Sequence, residues 1–123
     1  MANQSHPSFA HGKICYIEIP TNNIAESASF YKKVFSWNIR TRSDGSVAFD
    51  DTVNEVSGTW VLNRKPHTEQ GLIIYIMVDD VVSTIDTIIA NGGKIVEPMS
   101  GNAPEFIARF SDLSGNIFGI GQQ

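Results

Sequence analysis

A chain of 123 residues, 41% hydrophobic and 18% charged, can enclose one ordinary hydrophobic core and is too short for two independent domains. Its formal charge of -4 is spread without an acidic run or a basic cluster, which argues against a nucleic-acid backbone or an anionic membrane surface as partner. No run reaches the roughly 18 apolar residues of a membrane span, the opening MANQSHPSFA lacks the pattern of a secretion signal, and the single cysteine, Cys15, cannot form an internal disulfide, so a cytoplasmic protein is expected.

Residues 1–11 read as a flexible polar tail in which His6 and His11 are solvent-exposed rather than metal-bound; the loop histidine His67 reads the same way. The stretch ICYIEI that follows is a strand. Alternation sends Cys15, Ile17 and Ile19 to an apolar face, with Cys15 as a small buried hydrophobe, and Ile14, Tyr16 and Glu18 to a mixed one. Asn22 or Asn23 then caps a helix in which Ile24, Ala28, Tyr31 and Phe35 recur at helical spacing. WNIRTR, SVAFD and GTWVLNR read as three strands, the first two joined at Asp44-Gly45, a pair suited to a tight hairpin. The order then repeats: strand LIIYIMV, helix DVVSTIDTIIA stopped by Asn91-Gly92-Gly93, and strands near KIVEP, FIARFS and NIFGIG. Asp79 and Asp80 cap the second helix, and Asp112 bonds to local backbone in the DLSGN turn.

Laying residue 16 over residue 73 superimposes YIEIPTNNIAES on IIYIMVDDVVST, and the same shift lays SGTWVLNR on SGNIFGIG. Two β-α-β-β-β modules, about residues 12–66 and 70–121, therefore make up a single domain spanning 12–123. Neither module can bury its helix and its sheet alone, so the expected fold is α+β, a curved mixed-sheet cup with helices on the outer face.

The strings GKICYIEIPTNNIAESASFYKKVFSW, YIMVDDVVSTIDTIIANGGKIVEP and FSDLSGNIFGI resemble the vicinal oxygen chelate superfamily, which contains glyoxalase I, bleomycin-resistance proteins and extradiol dioxygenases. The resemblance implies this same cup and a homodimer, the cup being closed either within one chain or between two. It also implies a metal ligand on the first and last strand of each module. The matching positions are Tyr16, Leu62, Ile73 and Gly119, three of which carry no side-chain donor atom, so no metal and no cofactor is expected. A different arrangement, with Glu18 and a loop histidine, has no supporting His-x-His or His-x-x-x-His spacing.

With Tyr16 pointing inward, Glu18, Tyr75 and Met77 follow by parity; Trp60 and Leu62 share a face, and Gly119 is expected to leave open space. Such an aromatic, mostly apolar lining suits a small aromatic or carbonyl-containing ligand. Glu18, with Tyr16 as a second donor, suits proton transfer, or else holds the sheet by pairing with Arg40 or Arg109. Arg109 either clamps a carboxylate or enolate in the cup or is solvated at an edge. Trp37 and Phe49 are core or subunit-contact residues, or cavity walls. Two functions remain open: catalysis of a proton shift, as a lyase or isomerase, and sequestration of a toxic molecule. A metal-dependent lyase or dioxygenase is the third.

Overall fold

The computed structural model describes residues 7–69 and 71–122, so His6 lies outside the described residues. Each half has the expected order. β1 (Tyr16–Pro20), α1 (Ile24–Phe35), β2 (Asn38–Thr41), β3 (Val47–Asp50) and β4 (Ser57–Val61) form the first module. β5 (Tyr75–Met77), α2 (Val81–Ala90), β6 (Lys94–Asn102), β7 (Glu105–Ser111) and β8 (Ile117–Gly121) form the second. Each sheet is four-stranded and mixed: β1-β4-β3-β2 with β1 parallel to β4, and β5-β8-β7-β6 with β5 parallel to β8. The opening strand is thus a free edge in both.

Local chemistry sets the helix ends. The Asn23 side chain accepts from Glu26 N (3.0 Å) and Asp80 from Ser83 N (3.1 Å), satisfying donors that the first turns leave orphaned. Ser36, at φ 61°, turns the chain out of α1, and Gly92 follows α2 at φ +96°. In the β2–β3 hairpin Gly45 takes φ +89°, while the Asp44 carboxylate accepts from Ser46 N and Oγ.

One aromatic cluster serves both sheets. Tyr31 stacks on Trp37 with ring centroids 4.7 Å apart and also meets Trp60 of β4 and Phe118 of β8; Phe30 and Phe35 of the same helix meet Phe110 of β7. Buried polar groups add to the junction between modules. Tyr31 OH donates to Asp112 Oδ2 (2.7 Å), and Asn116 Nδ2 donates to the Pro20 carbonyl (2.6 Å). Because the helix-side faces of both sheets share this core, their opposite faces look away from it and stay open to solvent.

Two expectations need correction, and the tail makes contacts of its own. Cys15 is exposed: β1 begins only at Tyr16, and although the Cys15 carbonyl accepts from Ser57 N (3.0 Å), no helix covers its side chain. His67 is not fully solvated: Asn116 Oδ1 accepts from its backbone N (2.8 Å) and Ile117 N donates to its carbonyl (2.8 Å), drawing the loop in and burying Nε2. Ser8 lies within the tail yet donates to Glu55 through N and Oγ, and Lys13 pairs with the same carboxylate at 3.1 Å.

Candidate functional site

The open face of the first sheet follows from strand register. Tyr16 lies opposite Ser57, Glu18 opposite Thr59, Asp50 opposite Asn38 and Ala48 opposite Arg40. The alternate residues Ile19, Trp60 and Phe49 are buried against α1. Trp60 therefore does not line the cup. Only 3% exposed, it packs on Phe49 and Tyr31, because Gly58 and Trp60 share the helix side of β4. Leu62 lies beyond the end of β4, half exposed, and Asn63 next to it turns at φ 62°. Thr59 faces Glu18 as Gly119 faces Tyr75, so Thr59 rather than Leu62 is the counterpart of Gly119.

Most charges on this face are paired. Arg40 grips Asp50 with two bonds, Nε to Oδ2 at 2.9 Å and Nη2 to Oδ1 at 3.1 Å, while Ser57 Oγ and Asn38 Nδ2 donate to the same carboxylate. These donors, Arg40 foremost, hold Asp50 below the usual carboxylate range against the opposing effect of burial. Glu18 pairs with Arg64 at 2.9 Å, both about half exposed, rather than with Arg40 or Arg109. Arg42 lies over the Tyr16 ring, 5.8 Å from its centroid, and donates to the Tyr16 hydroxyl and to Ser46 Oγ.

The second open face repeats this theme with different residues. Arg109 stands opposite Gly119 on β8, and so on the face that carries Tyr75. Its guanidinium lies 5.9 Å from the Tyr75 ring centroid, donates to the Tyr75 hydroxyl (3.2 Å) and pairs with Glu69 at 2.6 Å. Glu69 and then Tyr75 push Arg109 further above its already high ordinary value. Gly119 leaves no open space: a Cβ there would sit 2.4 Å from Cδ2 and Cε2 of Tyr75, whose ring covers the position. Only glycine lets the ring lie flat on the strand. Tyr75, Glu97, Ser100, Ile107 and Arg109 surround a hollow of about 140 Å³. Met77 is 73% exposed, and Ile73 precedes β5, half-buried.

A larger hollow, about 670 Å³, lies on the helix side, between the C-terminus of α1 and β5, with Ile17, Trp37, Phe49, Val53, Ile74 and Ile76 among its walls. It contains neither Tyr16 nor Arg109. Its rim also carries Asp51, Thr52, Asp80 and Ser83, but these serve the backbone: Thr52 Oγ1 donates to the Phe35 carbonyl, Asp51 accepts from Glu55 N and Asp80 caps α2. The arginines and their paired carboxylates lie on the open sheet faces instead.

Sequence reasoning missed Arg42, Arg64, Asp50 and Glu69. For Arg42 a signal was present: in WNIRTR the apolar Trp37 and Ile39 alternate with Asn38, Arg40 and Arg42, which marks the arginines for the open face. Arg64 and Glu69 lie in the loop joining the modules, where no periodicity applies.

A family model for the Glyoxalase/Bleomycin resistance protein/Dioxygenase superfamily matches residues 13–120. The chain belongs to this superfamily. A glyoxylase-like domain-containing protein of Didymella fabae is 28% identical over 119 residues, covering 89% of this chain and 93% of that protein. A solved superfamily enzyme from Burkholderia phytofirmans PsJN matches with a TM-score of 0.73 at 17% identity, covering 90% of this chain and 98% of the other. The fosfomycin resistance protein FosX of Listeria monocytogenes matches with a TM-score of 0.71 at 12% identity, covering 93% and 95%. At these identities the two structures establish the α+β fold of paired modules and leave the ligand open.

The superfamily's metal positions, with Thr59 in place of Leu62, hold Tyr16, Thr59, Ile73 and Gly119. Thr59 donates its hydroxyl to the Val47 carbonyl (2.6 Å), Gly119 lies beneath a ring, and Ile73 has no donor atom. These residues do not fit a divalent metal. Among the described residues no three His, Cys, Asp or Glu side chains converge as a ligand group, and no helix is long and apolar enough to cross a membrane.

Proposed function

We propose that this chain is a metal-independent glyoxalase or bleomycin-resistance type protein that binds a small aromatic or carbonyl-containing molecule between open sheet faces contributed by two copies of itself. The observation that carries this reading is the exposure of Tyr16 (45%), Tyr75 (43%) and Met77 (73%) on sheet faces turned away from the shared core. Rings that are nearly half exposed on a sheet face are suited to a partner surface and a planar ligand. Among the described residues only Arg42 and Arg109 lie over these rings, and no apolar surface packs on the two faces, so a second copy completes the cup. The free edges of β1 and β5 favour the same arrangement, and the apolar walls of the helix-side hollow border those edges.

Binding takes precedence over catalysis. Glu18 and Tyr16 are the groups placed for proton transfer, with Leu62, Ile73, Gly119 and Arg109 as further wall or clamp positions. Yet Glu18 is tied in an exposed pair with Arg64 instead of sitting in the water-excluded surroundings that acid–base work favours. A thermal-shift screen of bleomycin-like, aromatic and dicarbonyl compounds, with chelator present, tests the reading. A ligand that raises Tm supports it, as binding to the folded state alone requires; shifts that vanish with chelator contradict it. If a hit is also turned over, Glu18→Gln abolishes product while keeping the shift, and unchanged turnover refutes the role assigned to Glu18.

A further inference from the structure

Each open face carries an arginine lying over a tyrosine, but the two units differ in charge. Arg109 over Tyr75 is neutralised by Glu69 at 2.6 Å. On the first sheet Arg40 is matched by Asp50 and Arg64 by Glu18, while Arg42 over Tyr16 has no carboxylate within ion-pair distance among the described residues. Its nearest acid in the chain, Asp44, has its carboxylate engaged by Ser46 N and Oγ. The half-buried Arg42 spends two donors on neutral oxygens, Ser46 Oγ and Tyr16 OH, out of the five N–H groups a guanidinium offers. The remaining donors are available on the open face, and Asp44 offsets the charge only from beyond ion-pair distance.

The internal repeat does not account for this arrangement. The counterpart of Tyr75 is Glu18, not Tyr16, so the two arginine–tyrosine units occupy different strand positions. An arginine held in place by a ring and a hydroxyl, with no carboxylate bonded to it, is preorganised for one from outside, because the fork matches a carboxylate with two parallel bonds.

We propose that Arg42, seated on Tyr16, receives the anionic end of the ligand, and that the molecule bound in the cup is a planar acid, its carboxylate at Arg42 and its apolar end toward Tyr75, Met77 and Ile107. This rests on the cup being the binding site and adds the substrate class and the orientation. Charge asymmetry between the two faces sets the direction: among the described residues the first sheet offers an arginine outside any ion pair and the second does not.

The test is calorimetric titration of the full chain, with chelator present, using cinnamate and its neutral amide, cinnamamide, as probes. Cinnamate should bind about tenfold more tightly than the amide, the effect of one charge-assisted bond pair. Raising salt from about 0.05 to about 0.5 M should weaken only the acid. Arg42→Gln should erase the preference of acid over amide; Arg42→Lys, which keeps charge without the fork, should fall between. Equal affinities for acid and amide in the parent, or an acid preference that survives Arg42→Gln in a variant of unchanged Tm, overturn the proposal while the cup reading stands. No binding of either probe overturns both.

Discussion

Tyr31→Phe removes one hydroxyl and nothing else from the junction between the modules. The ring keeps its stack on Trp37 at 4.7 Å and its contacts with Trp60 and Phe118. Asp112 loses the 2.7 Å bond from Tyr31 but keeps Asn116 Nδ2 at 3.0 Å on Oδ2, and Ser114 N and Asn116 N at 2.9 Å on Oδ1. The carboxylate therefore stays satisfied, and the loss is that of one charge-assisted hydrogen bond, about 2 kcal/mol. For a chain of this length that lowers Tm by about 8 °C. Urea unfolding followed by tryptophan fluorescence, at fixed protein concentration, measures it, with an unchanged dependence on denaturant expected. Burial first, then the Asp112 charge, push the Tyr31 phenol well above its ordinary value. The folded chain holds this proton where the unfolded chain begins to lose it, so stability falls as pH rises above about 10, and Tyr31→Phe should flatten that limb. A loss below about 0.5 kcal/mol, the range of ordinary surface changes, with an unaltered alkaline limb, would refute the view that this bond joins the two modules.

Two further substitutions probe the first sheet. Asp50 is held low chiefly by Arg40, so its contribution to stability is present above about pH 4 and is lost as pH falls through the lowered folded value. Asp50→Asn should give a shallower acid limb, and an acid limb identical to the parent's would count against the network. Gly58→Ala would set a Cβ 2.1 Å from the Ile17 carbonyl and 2.4 Å from Phe49 Cζ, forcing β1 and the core ring apart. About 3 kcal/mol of stability should be lost on urea unfolding, and a loss under about 1 kcal/mol would contradict the close approach of β1 and β4.

The two-module plan was legible because each element announces itself locally: Asn23 and Asp80 as caps, Asp44-Gly45 as a turn, Tyr31 and Phe35 at helical spacing. That Tyr16 and Glu18 share the face of β1 opposite Ile17 and Ile19 followed from alternation alone. Trp60 went to the wrong face because the internal shift aligned β4 through Leu62, whereas backbone pairing aligns Thr59 with Gly119. Strand parity magnifies such slips, since an odd displacement reverses every side chain. Gly119 was read as empty because one residue's missing side chain says nothing about a neighbour's ring, and Tyr75 fills that space. The bond from Tyr31 to Asp112 was invisible for a similar reason. The turn explains the backbone donors to Asp112, while the phenol reaches it only through packing between modules.

Native mass spectrometry of the untagged protein with a ligand from the thermal screen bears most directly on a metal-free cup assembled from two chains. The expected spectrum is a dimer that takes up ligand and carries no metal ion. A monomer that retains the ligand, or a stoichiometric metal lost together with the ligand on chelation, would contradict the account.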